Sequence, residues 1–412
     1  MPAGSTFGKI QPMSGGLLTV LIAPDSFKGS ISSIDVARAL ADGWRRARPD
    51  DEVLLSPLAD GGEGTLAAVA ASDGWEWHTA EVSDPLFRHV QARWLSSPDH
   101  RLACIEMAEA SGLSRVAAAE RDALKATSYG TGELIEAAVT AGARRIILGI
   151  GGSATTDGGY GLLNGAGLAM AFTRTDGSLL TPWGAGLADV GEVQLMHPRD
   201  QAAHPAGLSP YEDVDLEVAC DVTNPLLGPR GAAATYGPQK GASASDVKFL
   251  DAALRRWADA LERLTGRAER DTPGAGAAGG VGFALLAIQD RFRSFALRPG
   301  VELVMEATGF HDKLAHADVV MTGEGRIDEQ TAFGKTALGV ARRAHAAGKP
   351  TIAVGGGVTP EGIAALAPLG AVVVPVVEHP QSVEEAMASG GAPLLRCGER
   401  IARLISLGAM DA

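Results

Sequence analysis

The chain has 412 residues, 46% of them hydrophobic and 5% aromatic, which is enough for two domains with sizeable cores. Its formal charge of −13 excludes a general nucleic-acid surface, because such a surface needs an excess of cations. The three cysteines are scattered and odd in number, which is typical neither of a disulfide framework nor of a zinc site. They indicate a reducing compartment, and the cytoplasm is the expected location.

The N-terminal part of the chain is predicted to be a tail followed by a strand. Residues 1–16 are rich in Gly, Ser and Pro and are expected to be flexible. The first apolar run, 17–23, is too short to cross a membrane, and no small-residue cleavage site follows it. Neither a membrane partner nor a secretory signal is therefore predicted, and residues 18–23 are interpreted as a first parallel strand.

A β-α-β-α pattern follows this strand. Residues 34–46 have the apolar spacing of a helix, which Ser32 or Ser33 can cap. Residues 53–55 predict a second strand, and a Gly-rich loop at 59–65 leads into a helix that ends near residue 71. Strands alternating with helices in this way are typical of a parallel sheet.

The same pattern returns at the far end of the chain, where each predicted strand runs into glycines or charged residues. The elements are a strand at 318–321, a helix at 336–347, a strand at 351–354, a helix after residue 360, a strand at 371–377 and a helix from 383. Open α/β sheets bind ligands beyond the carboxyl ends of their strands. The two ends predict one doubly wound domain over 17–81 and 298–412.

The segment between them, 82–297, predicts an inserted second α/β domain. A long stretch at 176–206 is interpreted as a loop because it is rich in Pro and Gly. Its other predicted elements are strands at 90–95, 103–106, 146–150 and 214–221 and helices at 131–141 and 247–264.

The central stretch of this insertion is a buried strand that breaks into glycines, hydroxyls and one carboxylate. Gly151 and Gly152 let the backbone approach a ligand, and Ser153 and Thr155 add hydroxyl donors. Converging N–H groups in such a turn form an anion-binding concavity, against which Asp157 could hold a metal ion. The alternative interpretation is a tight polar turn with no ligand.

Two familiar phosphate motifs fit poorly. Residues 333–336 resemble the end of a P-loop, but Glu329 stands where that motif requires its first glycine. The pattern Gly149-x-Gly151-x-x-Ala154 formally matches the dinucleotide fingerprint. No acidic residue follows about 20 positions later to bind a ribose, however, and the next residues are a poor helix start.

The remaining polar loops combine glycine with carboxylates and cations. Phosphoryl transfer needs this set, because cations neutralise phosphate oxygens and carboxylates hold magnesium or accept the proton of the attacking hydroxyl. Each feature alone has a structural explanation as a turn cap or a solvated lysine. The loops contain Asp25 with Lys28, Asp60 with Glu63, Asp221 with Asn224, Lys240, and Glu324 with Arg326 and Asp328.

Seven motifs together resemble the bacterial type I glycerate kinases, in order, from about residue 18 to the C-terminal helix. They occupy residues 25–30, 59–65, 151–159, 221–226, 237–241, 276–280 and 322–328. The resemblance implies ATP-dependent phosphorylation of D-glycerate, usually at the 2-hydroxyl. It also implies a flavodoxin-like domain split by a second α/β domain, with the active site in the cleft between them. The chain departs from the family at Thr156, where Asn is common, and in the length of the 176–206 loop.

The predicted substrate and catalytic groups lie in the strand-end loops. Arg326 and Lys28 are expected to bind the glycerate carboxylate, together with Ser26 and Asn224. Lys28 is also counted among the catalytic residues. Asp60, in the same domain as Lys28, is the predicted general base, with Asp221 as second choice. The alternative is that Asp60 only accepts N–H groups of its own turn.

The predicted nucleotide groups lie in the inserted domain, and Asp157 is assigned to Mg²⁺. ATP and Mg²⁺ are thus the expected cofactors, D-glycerate is the expected substrate, and the oligomeric state is left open. Two rivals remain, a NAD-dependent dehydrogenase of a small hydroxy acid and a non-enzymatic glycerate-binding regulator. The residues predicted to bind nucleotide are Gly151, Gly152, Ser153, Thr155, Lys240 and Gly279.

Overall fold

The computed structural model describes residues 16–168, 170–180, 184–195, 211–333 and 335–408. Its strands are β1 (Thr19–Ile22), β2 (Glu52–Leu55), β3 (Glu76–Ser83), β4 (His89–Ser96), β5 (Leu102–Glu106), β6 (Arg145–Gly149), β7 (Met170–Arg174), β8 (Val190–Leu195), β9 (Asp215–Ala219), β10 (Ser294–Arg298), β11 (Val319–Ile327), β12 (Thr351–Val358) and β13 (Val372–Pro375). Its α-helices are α1 (Ser33–Ala47), α2 (Thr65–Ala70), α3 (Met107–Ser111), α4 (Tyr129–Thr140), α5 (Tyr160–Gly165), α6 (Ala232–Tyr236), α7 (Ala244–Thr265), α8 (Val281–Ala287), α9 (Gly300–Ala307), α10 (Phe310–His316), α11 (Thr336–Ala346), α12 (Pro360–Leu366), α13 (Val383–Ala388) and α14 (Ala392–Gly408).

Contacts between residues divide the chain into two compact units. The first takes in the chain up to Asp60, the segment Ala67–Ser72 and the chain from Val304 onward. The second consists of Gly61–Leu66 and Asp73–Leu303. The domain bounds expected from sequence, 17–81, 82–297 and 298–412, stay a prediction, and the first junction falls inside β3. Apart from Gly16, the expected tail lies outside the described residues.

The described strands of the first unit form a five-stranded parallel sheet in the order β13-β12-β11-β1-β2. Val20 in the middle of β1 pairs with Val53 of β2 on one side and with Val319 of β11 on the other. Counted along the unit, this is the order 2-1-3-4-5 of a doubly wound sheet. The loops after β1, β2 and β11 therefore open at one edge of the sheet.

Helices cover both faces of this sheet. Val354 belongs to the apolar core that Trp44 of α1 and Cys397 of α14 share, whereas its neighbour Ala353 packs with Leu338 of α11 on the other face. Alternation along the strand requires this division, because successive side chains point to opposite sides. The predicted α/β class is confirmed.

The second unit has a mixed sheet in the order β10-β9-β6-β5-β4-β3 among its described strands. β10, β9, β6 and β5 are parallel, and β4 and β3 extend the sheet as antiparallel neighbours. The carboxyl ends of β5, β6 and β9 consequently lie at one edge. Parallel strands are covered on both faces, which agrees with the continuous apolar run of β6.

An aromatic cluster fixes the loop after β6. The ring of Tyr160 in α5 meets Phe172 at 4.6 Å and Trp257 of α7 at 5.6 Å between centroids. The indole N–H of Trp257 donates to the carbonyl oxygen of Gly158 at 2.9 Å. The polar loop is thus attached to the core of the second unit at its C-terminal end.

The prediction of a loop throughout 176–206 was wrong in part. The structure places β8 there, paired with β7 through Val193 and Phe172. Val190 and Val193 are buried, so this stretch has an apolar face. The sequence does not indicate that face clearly, because the stretch is rich in Pro and Gly. Residues 181–183 and 196–206 lie outside the described part. Among the described helices, none has the length and apolar character needed to cross a membrane.

Candidate active site

A cluster of carboxylates lies at the carboxyl edge of the first unit's sheet. Asp25 follows β1, and its backbone N–H donates to the carbonyl oxygen of Gly323 in β11 at 2.8 Å. Glu324 is the next residue of β11 and is only 5% exposed. Asp328, immediately after β11, is equally buried. The neighbouring central strands thus deliver three acidic groups to one edge, as the topology requires.

The half-buried carboxylate of Asp25 has a defined set of donors. The Thr336 hydroxyl donates to Oδ2 at 2.6 Å, and the backbone N–H of Ser26 contacts Oδ1 at 2.6 Å. Burial, helped by the negative charge of Asp60, raises the pKa of Asp25 to about 6 although both donors oppose the shift. The carboxyl group is therefore poised to exchange a proton close to neutral pH.

Glu324 is held in a similar way. Its Oε1 accepts a hydrogen bond of 2.6 Å from the hydroxyl of Thr331. Burial raises the pKa of Glu324 to about 7, and the charges of Asp25 and Asp328 add to the rise, while Thr331 and Lys335 act against it. The carboxyl groups at the two strand ends are therefore close enough for the charge of Asp25 to act on Glu324.

Cations flank these carboxylates. The Arg326 side chain is 69% exposed, and its Nε lies 3.0 Å from Oδ2 of Asp328. Lys335 Nζ lies 4.0 Å from the other Asp328 oxygen. A Cβ built on Gly325 would come within 3.4 Å of the backbone nitrogen of Lys28, so the loop of Lys28 touches the end of β11 that carries Arg326. The Lys28 side chain is exposed. This edge can therefore present positive charge to a small anion.

In the second unit, a buried lysine contacts the polar loop after β6. Lys240 is 2% exposed, and its Nζ donates to the hydroxyl of Ser153 at 2.9 Å and to the carbonyl oxygen of Thr155 at 2.6 Å. Burial lowers the pKa of Lys240 to about 7, although the charge of Asp157 opposes the change. The ammonium lacks a close carboxylate among these contacts, so an added anion would stabilise it.

The glycines of this loop are tightly enclosed. Gly152 has φ +71°, and its carbonyl oxygen accepts from the N–H of Leu113 at 2.8 Å. A Cβ on Gly151 would lie 2.6 Å from Cα of Gly62. The segment is thus a packed turn in which some backbone groups are already hydrogen-bonded within the protein. A ligand would bind to the other backbone groups of the turn.

The loop of Gly279 lies against the same turn. Gly279 has φ +70°, and a Cβ there would stand 1.9 Å from the carbonyl oxygen of Thr155. Its own carbonyl oxygen accepts from the N–H of Gly158 at 2.9 Å. The residues predicted to bind nucleotide, Gly151, Gly152, Ser153, Thr155, Lys240 and Gly279, are thus brought together in the second unit.

Asp157, the residue predicted to bind Mg²⁺, is enclosed by internal hydrogen-bond donors. The side chain is fully buried, and its Oδ2 accepts from the N–H of Ser128 at 2.7 Å, from the Ser128 hydroxyl at 2.8 Å and from the N–H of Gly161 at 3.2 Å. Its Oδ1 accepts from the N–H of Gly159 at 3.2 Å. Burial raises the pKa of Asp157 despite these donors. A metal ion would have to displace them, so the carboxylate is a structural acceptor.

Asp221 and Asn224 both lie in the loop after β9, but they differ in their hydrogen-bond partners. Asp221 is exposed, and its Oδ1 accepts from the N–H of Gly300 at 3.1 Å. The Asn224 amide is engaged on both sides, because Nδ2 donates to the carbonyl oxygen of Arg230 at 2.9 Å and Oδ1 accepts from Tyr236 Oη at 2.8 Å. The predicted contact of Asn224 with substrate would therefore cost these bonds.

The sequence prediction counted Asp25 and Glu324 among the polar loops without assigning either an individual role, and it gave no role to Thr336 or Glu106. Glu106 ends β5, accepts the N–H of Leu66 at 2.6 Å, and has its pKa raised to about 7 by burial. The available signal was the position of Asp25, Glu324 and Glu106 at or just after the ends of parallel strands. The Thr336 contact joins segments 311 residues apart, and no local pattern indicates it.

In the described part of the chain, no helix begins directly after the glycines of the dinucleotide fingerprint. After β6 the chain continues through a polar turn, and α5 begins only at Tyr160 behind a left-handed Gly159. A pyrophosphate site of that kind needs a helix N-terminus directly after the glycines. This geometry disfavours the rival dehydrogenase.

The fold and these two clusters define an α/β enzyme with acidic and basic groups at the carboxyl ends of its strands. Residues 20–406 match the sequence model of the Glycerate kinase family. The chain belongs to the glycerate kinase family, and the predicted enzyme class, a small-molecule kinase, is confirmed.

Individual relatives agree with this membership. The chain is 41% identical over 387 residues to the glycerate kinase of Halalkalibacterium halodurans, covering 93% of this chain and 97% of that protein. It is 39% identical over 398 residues to the glycerate 2-kinase of Escherichia coli, covering 96% and 100%. The crystal structure of a protein described as glycerate kinase 2 from Salmonella typhimurium LT2 matches with a TM-score of 0.80 and 40% identity, covering 96% of this chain and 100% of that one.

Proposed function

We propose that this chain transfers the γ-phosphoryl group of ATP to the 2-hydroxyl of D-glycerate, giving 2-phosphoglycerate and ADP. The observation that carries the proposal is the strand edge of the first unit, where Asp25 and Glu324 stand beside the loops of Lys28 and Arg326. Such an edge offers a proton acceptor and cations to one small hydroxy acid. The name of the Escherichia coli relative supports the 2-hydroxyl as acceptor.

In this proposal the cations of the first unit bind the glycerate carboxylate. Arg326 is bound to Asp328 through Nε, and its largely exposed guanidinium has further N–H donors in a planar fork that suits a carboxylate. Lys28 adds a second positive charge from the touching loop. Ser26 lies between Asp25 and Lys28 in the sequence, where its hydroxyl can contact the substrate.

The phosphates of ATP are proposed to bind the polar turn of the second unit. Lys240 supplies the charge, and its pKa near 7 is expected to rise when an anion approaches, because the charged form then gains a partner. Ser153 and Thr155, which Lys240 already contacts, define the turn, and Gly279 encloses it.

Phosphoryl transfer also needs a base and a counter-ion for the phosphates. Asp25 and the predicted base Asp60 follow neighbouring strands, and the negative charge of Asp60 raises the pKa of Asp25. Asp221 stays the second choice of the sequence prediction. We propose that ATP enters as its magnesium complex, since Mg²⁺ keeps several waters and substrate phosphates as ligands. Asp157 is not among its protein ligands in this proposal.

The test is a coupled measurement of ADP release with purified enzyme, ATP, Mg²⁺ and D-glycerate, with the product examined by NMR. We expect ADP release that depends on D-glycerate, and 2-phosphoglycerate as product. The 3-phosphate would correct the regiochemistry. Binding of glycerate without ADP release would favour the regulator, and reduction of NAD would favour the dehydrogenase. We further propose that the reaction takes place in the cytoplasm, which the three free cysteines support.

A further inference from the structure

We infer that Asp25 accepts the proton of the attacking glycerate hydroxyl. Thr336 orients the carboxylate of Asp25, and the neighbouring negative charge of Asp60 favours proton uptake by that carboxylate. This inference rests on the proposed function. It reassigns the base from Asp60, the residue expected from sequence, to a carboxylate that the structure surrounds with specific contacts.

The position of Asp25 suits proton transfer. It follows β1, the strand between β2 and β11 in the first unit, and its backbone is attached to β11 through the Gly323 carbonyl oxygen at 2.8 Å. The Thr336 hydroxyl and the Ser26 N–H each occupy one carboxylate oxygen. A carboxylate has about four acceptor sites. With the Ser26 hydroxyl counted as a third donor, the Asp25 carboxylate still retains acceptor capacity, while the orientation of the group is fixed.

The charges around Asp25 come from three elements besides its own loop. Asp60 follows β2, Glu324 lies near the end of β11 with Asp328 directly after it, and Lys335 precedes α11. Lys28 lies on the loop of Asp25 itself. Burial makes the largest contribution to the raised pKa of Asp25, and the negative charge of Asp60 adds to it, whereas the hydrogen bonds from Thr336 and Ser26 act to lower it. A base whose pKa lies near 6 is ionised at neutral pH and is still strong enough to take a proton.

Asp60 has a different environment. It is exposed, so water can solvate its charge, whereas the Asp25 carboxylate is half-buried. Desolvated carboxylates with raised pKa values and specific charge partners are typical of catalytic acids and bases. The contrast favours Asp25 as the group that reacts and Asp60 as its electrostatic neighbour.

The reaction is balanced without further reactants. The substrate hydroxyl oxygen forms a bond to the γ-phosphorus as the bond from that phosphorus to the β–γ bridging oxygen breaks, and ADP leaves with the electron pair. The hydroxyl proton moves to a carboxylate oxygen of Asp25. The carboxylic acid then releases this proton to water before the next turnover.

The experiment is a set of pH–rate profiles of kcat/KM for D-glycerate at saturating ATP. The wild-type enzyme should lose activity toward acid with an apparent pKa near 6. Asp25→Asn should lower kcat by about 10²–10⁴ with little change in the dissociation constant of ATP measured by calorimetry. That binding measurement, with thermal unfolding, identifies a variant that has merely failed to fold.

Two further variants should move the acid limb in opposite directions. Asp60→Asn removes a negative neighbour of Asp25, so the acid limb should shift to lower pH. Thr336→Val removes a donor that favours the ionised form, so the limb should shift to higher pH. Thr336→Ser keeps the hydroxyl and is the matched control, for which no shift is expected. A merely structural role of these residues would not separate the profiles in this way.

The outcomes distinguish this inference from the proposed function. A wild-type enzyme that releases no ADP with D-glycerate refutes the function, and this assignment with it. An active wild type with an active Asp25→Asn variant refutes the assignment alone. Loss of turnover in Asp60→Asn, or loss of the acid limb in Glu324→Gln with Asp25→Asn unaffected, would transfer the base to that residue.

Discussion

Replacing Lys240 by Met removes a buried ammonium group while keeping an unbranched side chain in the same space. The wild-type fold stabilises the neutral form of Lys240, since burial lowers its pKa from 10.5 to about 7. Charging the lysine in the folded state therefore opposes folding. The penalty is complete below the folded pKa and disappears as the pH rises through the unfolded pKa. It amounts to about 5 kcal/mol at pH 6 and about 2 kcal/mol at pH 9.

The substitution also breaks the hydrogen bonds from Nζ to the Ser153 hydroxyl and the Thr155 carbonyl oxygen, at about 1–3 kcal/mol each. At pH 6 the cost of the lost hydrogen bonds nearly cancels the gain from removing the buried charge of the lysine. We therefore expect a Lys240→Met protein of similar stability to wild type. Its relative stability should then fall by about 3 kcal/mol between pH 6 and pH 9, because only the wild type gains from the rise in pH.

The assay is urea unfolding at several pH values, followed by tryptophan fluorescence because Trp257 lies in the core of the same unit. Lys248→Met, an exposed position on α7, is the control and should give a profile parallel to wild type. Calorimetry on the same proteins should show weakened ATP binding only for Lys240→Met. A constant stability difference between Lys240→Met and wild type across this pH range would refute the reasoning.

Three further substitutions test the packing of the turn and the two anion contacts. Gly279→Ala should destabilise the protein by at least about 1–3 kcal/mol in thermal unfolding, because its Cβ meets the Thr155 carbonyl oxygen at 1.9 Å and φ is +70°; an unchanged Tm would contradict the described turn. Arg326→Ala should raise KM for glycerate more than KM for ATP, whereas Arg38→Ala, exposed on α1, should change neither; equal glycerate KM values for both variants would remove Arg326 from the carboxylate site. Asp157→Asn should lower the free energy of unfolding by about 1–3 kcal/mol without changing the magnesium requirement, since its oxygens accept hydrogen bonds from five backbone or hydroxyl donors. Rescue of its activity by excess Mg²⁺ would restore the original metal assignment.

The parallel sheets were predictable because their strands are short apolar runs that end in glycine or charge. β1, β2 and β6 show this pattern clearly, and of the two predicted caps of α1, Ser32 or Ser33, the structure has Ser32. β3 and β8 were not predicted from the sequence. An alternating or interrupted apolar pattern is a weak signal for a strand when Pro and Gly in the surrounding sequence indicate a loop. Pairing between distant strands compensates for poor local patterns, and one sequence does not display those pairings.

The candidate site was predictable in its loops but not in its roles. The strand-end rule places Lys28, Asp60 and Arg326 at one edge, since Lys28 and Asp60 follow β1 and β2 and Arg326 lies at the end of β11 in the same parallel sheet. What a carboxylate does there depends on its burial and its donors, which come from remote segments. Asp157 and Asp25 look alike in the sequence, yet one is saturated with internal donors and the other keeps acceptor capacity.

The pairing of β1 with β11 has a consequence for how the protein is made. The N–H of Thr19 donates to Asp318, 299 residues later, so the two strands leave the ribosome about 15–60 s apart at typical rates of synthesis. Meanwhile α14, which packs against α1 in the finished protein, has not yet been synthesised, and the side of α1 that it covers is exposed. The second unit is nearly contiguous in sequence and can fold during this interval. The first unit must be completed from both chain ends after synthesis, which makes it the part most dependent on chaperones that shield apolar helices.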